Sequence, residues 1–157
     1  MKPFPLSLLV ILLATALCPL RAEPPQAIPQ EALALSQKLA DKAAPGVHTW
    51  TVFEGDSISK NANATSNTVH ADILSRFSGQ SLTPLHVDIL TFMIYVEAVQ
   101  RMDTLSKTER ETPGDIPDEQ SKRLEAALGR RDQFLELITS LAKKITDDKV
   151  AAVEALK

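Results

Sequence analysis

The sequence predicts an all-α protein: one bundle of four or five helices over residues 30–157, with an extended N-terminal leader and an irregular segment at 47–66. Two observations predict this class. Apolar residues recur at three- and four-residue spacing through most of the chain after residue 30. Only residues 47–53 are rich in the branched and aromatic side chains that strands favour. A lone strand has nothing to pair with, so we expect an extended arm or half of a small hairpin there.

The first 22 residues have the pattern of a secretory signal peptide. Lys2 supplies a positive start, residues 6–17 form an uninterrupted run of apolar or small side chains, and Ala22 is the small residue that cleavage needs. The apolar run is too short for a stable membrane span. We therefore predict export with cleavage after Ala22, and no membrane-spanning segment in the protein that remains.

The sole cysteine, Cys18, lies inside this predicted signal. Leu17 precedes it at a position where lipidation signals carry a small residue, so we do not expect a lipid anchor at Cys18. Residues 23–157 contain no cysteine, whereas small secreted eukaryotic domains usually carry disulfides. This favours a bacterial envelope protein, periplasmic or secreted, and excludes thiol catalysis, iron–sulfur clusters and haem attachment through cysteine.

Length and charge limit the domain count and the partners. The 135 residues from 23 to 157 suffice for one domain with a hydrophobic core. Removing the two basic residues of the signal, Lys2 and Arg21, lowers the formal net charge from −3 to −5. Because the acidic residues are spread along the chain, nucleic acid is not expected as the main partner.

The first part of the mature chain reads as a leader, a helix and a loop. The leader, residues 23–29, contains three prolines and should be extended. Residues 30–44 place apolar side chains on one helical face, and Pro45 with Gly46 should end this helix. After the β-like stretch, residues 54–67 are rich in Ser, Asn, Ala and Gly and should form a loop.

Two helices are predicted next. Residues 69–77 should form a short helix that ends at Gly79. Thr83 and Pro84 are a strong start signal, with Thr as the N-cap and Pro at the first helical position. The helix from residue 84 to about residue 107 is apolar nearly all round. A helix of this kind is surrounded by others, so we expect it at the centre of the bundle.

The longest predicted helix follows a polar turn at residues 108–117. Residues 118–145 repeat apolar side chains at alternating four- and three-residue spacing, and Arg131 interrupts that seam. The interruption indicates a helix of a bundle packed on the central helix, and not an extended coiled coil. Residues 146–156 should either continue this helix or form a short final one.

A five-residue pattern occurs twice. His-x-Asp-Ile-Leu stands at residues 70–74 and again at residues 86–90. Imidazole and carboxylate groups are common metal ligands, but side chains at i and i+2 of a helix point about 200° apart. A metal site would therefore need His70 and His86 to converge from two helices. The alternative is that each pattern opens a helix, where an acidic side chain suits the helix dipole.

The predicted central helix also carries a polar stripe. Glu97, Gln100, Arg101 and Thr104 lie on the side of the helix that holds His86. This stripe is interpreted either as a polar pocket inside the bundle, with Glu97 and Arg101 as an i, i+4 pair, or as the solvated side of a mostly buried helix. Glu97 joins His70 and His86 as a candidate metal ligand.

One segment resembles a known family. Phe53-Glu54-Gly55-Asp56-Ser57-Ile58 resembles the first block of the GDSL (SGNH) hydrolases, in which the serine after Gly-Asp is the nucleophile and follows a strand. The resemblance covers about seven residues and implies a base from an Asp-x-x-His near the C-terminus. No histidine follows His86, and no Gly-x-Asn-Asp supplies an oxyanion hole. We therefore interpret Ser57 as a turn residue.

These observations favour a non-enzymatic protein of the bacterial periplasm or exterior that binds a protein partner or assembles with itself, and that needs no cofactor. The chain has no Gly-rich phosphate loop, no HExxH and no EF-hand loop. The first alternative is a bundle that binds a metal or small ligand through His70 and His86, with Glu97. The second is a serine hydrolase that uses Ser57.

Overall fold

The computed structural model describes residues 26–111, 118–145, 153 and 156. These residues form an all-helical bundle without a strand, which confirms the predicted fold class. The predicted signal peptide, with Cys18 and its cleavage site, lies outside the described residues. The described part contains five helices: α1 Gln30–Lys42, α2 Pro45–Lys60, α3 Ser66–Arg76, α4 Pro84–Glu111 and α5 Asp118–Lys144.

Helix α4 is the centre of the bundle, as its sequence predicts. Its residues 89–96 are all buried, so this segment has no solvent-facing side. The other four helices pack around it, and α2 and α5 make the most extensive contacts. Tyr95 of α4 stacks on Phe134 of α5 with ring centroids 4.8 Å apart. A helix that is apolar all round is stable in water only inside such a layer of neighbours.

The irregular segment predicted at 47–66 is wrong over most of its length, because residues 45–60 form the continuous helix α2. Pro45 and Gly46 do separate two elements, since α1 ends at Lys42, but Pro45 also occupies the first turn of the next helix. The buried residues of α2 are Val47, Thr51, Gly55, Ile58 and Ser59. Their spacing is helical, and packing of this face against α4 outweighs the strand preference of the branched residues.

Gly55 sets the close approach of α2 to α4. An ideal Cβ at this position would lie 3.0 Å from the Ile94 carbonyl oxygen and 3.1 Å from the Ala98 nitrogen, and closer still to the Glu97 Cβ. No such contact is sterically comfortable, so a side chain here would push the two helices apart. A glycine that reads as a loop residue in the sequence is therefore a packing residue in the fold.

The remaining elements differ from their predictions mainly at the ends. α3 begins at Ser66 rather than residue 69, because Thr65 caps it by accepting a hydrogen bond from the Thr68 amide. α4 runs four residues past its predicted end, and residues 112–117 lie outside the described part. The described portion of the leader, residues 26–29, has no regular secondary structure. Within the described residues, no helix is both long enough and apolar enough to cross a membrane.

Candidate functional site

The polar stripe predicted on the central helix lines an open groove on one side of the bundle. Its volume is about 540 Å³. Helix α4 forms one wall, and the leader with the start of α1 forms the other. The lining residues are Glu97, Gln100, Arg101, Asp103 and Thr104 from α4, with Ala27, Ile28 and Leu33 opposite.

Two opposite charges in this groove have no partner in the described part of the chain. Glu97 and Arg101 stand one helical turn apart, yet the ion pair that belonged to the polar-pocket interpretation does not form, and neither side chain makes an ion pair or hydrogen bond with another described residue. Glu97 is half-buried beside Gly55, whereas Arg101 is exposed. The groove thus presents one free acceptor group and one free donor group above an apolar wall.

Arg131 of α5 fixes the opposite wall in place. Its Nε donates to Asp103 Oδ1 at 2.6 Å and its Nη2 donates to Asp103 Oδ2 at 3.1 Å. Nη2 also donates to the backbone carbonyl of Gln26, which lies 105 residues earlier in the chain. Arg131 is 3% exposed, and its Nη1 has no hydrogen-bond partner in the part of the chain that the structure describes. A two-point contact between guanidinium and carboxylate is strong and directional, so the leader is tied to α4 through α5.

Arg130 binds a different segment, because adjacent side chains on a helix point about 100° apart. Its Nη1 donates to the Ala64 carbonyl at 2.9 Å and its Nη2 to the Asn61 carbonyl at 2.8 Å. Burial lowers the pKa of Arg130. The two adjacent arginines of α5 therefore anchor two backbone segments, the leader and the α2–α3 connection.

His86, the second predicted metal ligand, takes part in the cap of α4. The Thr83 amide donates to His86 Nδ1 at 3.2 Å, and the His86 amide donates to Thr83 Oγ1 at 3.3 Å. This reciprocal arrangement is a capping box in which histidine replaces the usual Glu or Gln. The predicted start signal Thr83-Pro84 is confirmed, and His86 strengthens it.

The three candidate ligands do not form one site. Glu97 follows His86 by eleven residues on the same helix, which places them about 16 Å apart along its axis, far beyond the span of two metal bonds. His70 is exposed on α3. Among the described residues, no group of three or more His, Cys, Asp or Glu side chains is placed to hold a metal ion. Metal binding by His70 and His86 stays a prediction without a further observation in its favour.

Ser57 lies on the exposed side of α2. The strand that the GDSL resemblance implies before this serine is helix here, and the block Gly55-Asp56-Ser57 continues that helix instead of forming a turn. The interpretation of Ser57 as a turn residue is wrong for the same reason.

A carboxylate pair between α2 and α3 was not visible in the sequence. Burial, and secondly the negative charge of Asp72, raise the pKa of Glu54, while a hydrogen bond from the Trp50 side chain opposes the shift. Trp50 in turn packs edge to face on Phe77, the C-cap of α3, with ring centroids 5.3 Å apart. The only sequence signal for this contact was the helical spacing of Trp50 and Glu54, which is hidden within the β-like run.

Comparison of the chain with models of known protein families, with curated proteins and with solved structures finds no match.

Proposed function

We propose that this chain is an exported helical bundle of the bacterial envelope, periplasmic or secreted, that acts without enzymatic activity by binding a protein partner or further copies of itself. The observation that carries the proposal is the groove beside α4, where Glu97 and Arg101 have no partner among the described residues and Leu33 forms part of an apolar wall.

Unpaired charges of opposite sign beside apolar surface suit recognition of another polypeptide. Charge pairs that face each other across an interface contribute mostly to orientation and association rate, and apolar contact supplies the buried area. Glu97 is held beside Gly55 where α2 meets α4, and Arg131 holds the far wall through Gln26. Both walls are therefore positioned before a partner arrives, which reduces the ordering cost of binding.

Site-specific photo-crosslinking tests the binding proposal. A photoreactive residue at Gln100, inside the groove, should give a defined adduct in intact cells, and the same residue at exposed Gln37 on α1 serves as the matched control. Exchanging the two charges, Glu97→Arg with Arg101→Glu, should abolish the Gln100 adduct. No adduct at Gln100, or the same adducts from both positions, would contradict the groove as a binding surface.

The export proposal has its own test. Protein expressed from the full sequence and recovered from the envelope should begin at Glu23 when its intact mass is measured. A chain that retains Met1, or one acylated at Cys18, would contradict the predicted cleavage after Ala22.

A further inference from the structure

A second groove runs along the outer face of α5, on the other side of the leader. Its volume is about 600 Å³. A smaller groove of about 200 Å³ continues it along the seam between α1 and α5, and the two share Pro29, Thr139 and Lys143. Ala27 lines both this groove and the one beside α4, so the leader separates them. The walls are Gln26, Ala27 and Pro29 of the leader and Leu135, Glu136, Thr139, Ser140 and Lys143 of α5.

The exposed α5 residues of this groove are Glu136, Thr139, Ser140 and Lys143, and together they are called the α5 surface. Two opposite charges lie at its two ends. Glu136 and Lys143 are both exposed, and in the described portion of the molecule neither takes part in an ion pair or hydrogen bond. Seven residues separate them, so they lie on the same side of the helix about 10 Å apart along its axis. This distance is too long for them to pair with each other.

The midpoint between the two charges is occupied by small side chains. Thr139 and Ser140 stand there, and the Thr139 hydroxyl is turned back onto the Leu135 carbonyl at 2.9 Å. Small residues at a crossing point let two helices approach closely, because the distance between helix axes follows the size of the contact side chains. The side chains of the α5 surface are therefore small at its centre, where a second helix could approach closely, and carry opposite charges at its two ends.

We propose that a second copy of this chain docks on this surface, with the two α5 helices antiparallel about a two-fold axis between Thr139 and Ser140. A two-fold interface must be self-complementary. Position 136 lies as far before the axis as position 143 lies after it, so Glu136 of each copy faces Lys143 of the other. This inference rests on the part of the proposed function in which the protein assembles with itself, and it names the surface through which the two copies bind.

Charge exchange tests the pairing directly. Glu136→Lys leaves two lysines facing two lysines, and Lys143→Glu leaves two glutamates facing two glutamates. Each single variant should raise the dimer dissociation constant at least tenfold in sedimentation equilibrium at low salt, because like charges placed opposite each other disfavour association. The double exchange should restore dimerisation.

A mixture of the two single variants gives the sharpest result. Equimolar Glu136→Lys and Lys143→Glu proteins should associate with each other although neither associates with itself, since each interface then contains two attractive pairs. Recovery on mixing cannot come from a change within one chain. Because Glu31 also lines the seam beside Lys143, circular dichroism melts of each variant should first show that the fold is retained.

Cysteine substitution tests the geometry. Ser140→Cys lies next to the axis and should form an intermolecular disulfide under mild oxidation. The control is Ala126→Cys, exposed on the same helix. In the antiparallel pairing two copies of position 126 are about 40 Å apart and should not crosslink, whereas a parallel pairing would crosslink both positions.

A monomeric wild-type protein, or a dimer that tolerates both single charge changes, would overturn this inference. Neither outcome bears on the binding of another protein in the α4 groove, which the crosslinking at Gln100 tests separately. The opposite combination is no adduct at Gln100 and a dimer whose stability follows the charge exchange at Glu136 and Lys143. That result would support self-association through α5 and contradict partner binding in the α4 groove.

Discussion

The two copies of His-x-Asp-Ile-Leu show how one local sequence acquires two roles. Residues 70–74 lie in α3, and residues 86–90 open α4. Both are helical, so the local pattern determines the same backbone. The final leucine differs most, because Leu90 is fully buried whereas Leu74 is 56% exposed. α3 covers one side of the bundle and buries a single face, while the segment of α4 that contains Leu90, residues 89–96, is buried on every side.

The other positions of the pattern divide in the same way. Ile73 and Ile89 are both fully buried, because each helix turns that face toward the core. His70 is exposed, and His86 accepts the Thr83 amide in the cap of α4. Sequence identity at these positions therefore predicts the helix and its inward face, and the neighbouring helices decide everything else.

The leucines should give the largest difference. Leu90→Ala should lower the free energy of unfolding by about 2–5 kcal/mol, because it removes a fully buried side chain and leaves a cavity. Leu74→Ala should change it by less than about 0.5 kcal/mol, since most of that side chain already contacts water. Urea denaturation followed by circular dichroism measures both. Equal losses would mean that α3 is covered in solution by something outside the described residues.

The isoleucines should behave alike and so act as the control for the leucines. Ile73→Val and Ile89→Val each remove one methylene from a fully buried position. Each should therefore lower the free energy of unfolding by about 0.5–1.5 kcal/mol in the same denaturation experiment. If Ile73→Val costs nothing, α3 does not pack on α4 as tightly as its burial indicates.

The histidines should differ by less than the leucines. His86→Ala removes the side-chain half of the capping box and should lower the free energy of unfolding by about 0.5–1 kcal/mol. His70→Ala should have no measurable effect, because its side chain is exposed. Hydrogen exchange of the first turn of α4 checks the cause: the Thr83 amide should exchange faster only in His86→Ala. If His70→Ala destabilised the protein by the same amount, the result would instead favour the hypothesis that His70 and His86 bind one metal ion together.

Much of the fold could be predicted from sequence because it depends on local signals. The start of α4 at Thr83-Pro84, its central position and its polar stripe follow from capping chemistry and helical spacing. α2 could not be predicted in this way, because Gly55 and the branched residues before it favour helix only when α4 lies alongside. The wall of the α4 groove that the leader forms could not be predicted either, because its position depends on a hydrogen bond from Arg131 to the Gln26 carbonyl, between residues far apart in the sequence.

The aspartates of the two copies give the smallest and most specific difference. Asp72 raises the pKa of Glu54, so Asp72→Asn should lower that pKa toward its ordinary value while burial keeps part of the shift. Asp88→Asn should leave the pKa of Glu54 unchanged, because Asp88 is not among the groups that shift it. A carboxyl whose pKa is raised by folding is neutral in both states at low pH and opposes folding as the pH rises through the interval between its ordinary and raised values. Asp72→Asn should therefore narrow that pH interval, and the free energy of unfolding should fall by less as the pH rises through it. NMR titration of the Glu54 side-chain carboxyl carbon measures the shift directly, and an unchanged pKa in Asp72→Asn would show that the charge of Asp72 does not contribute to it.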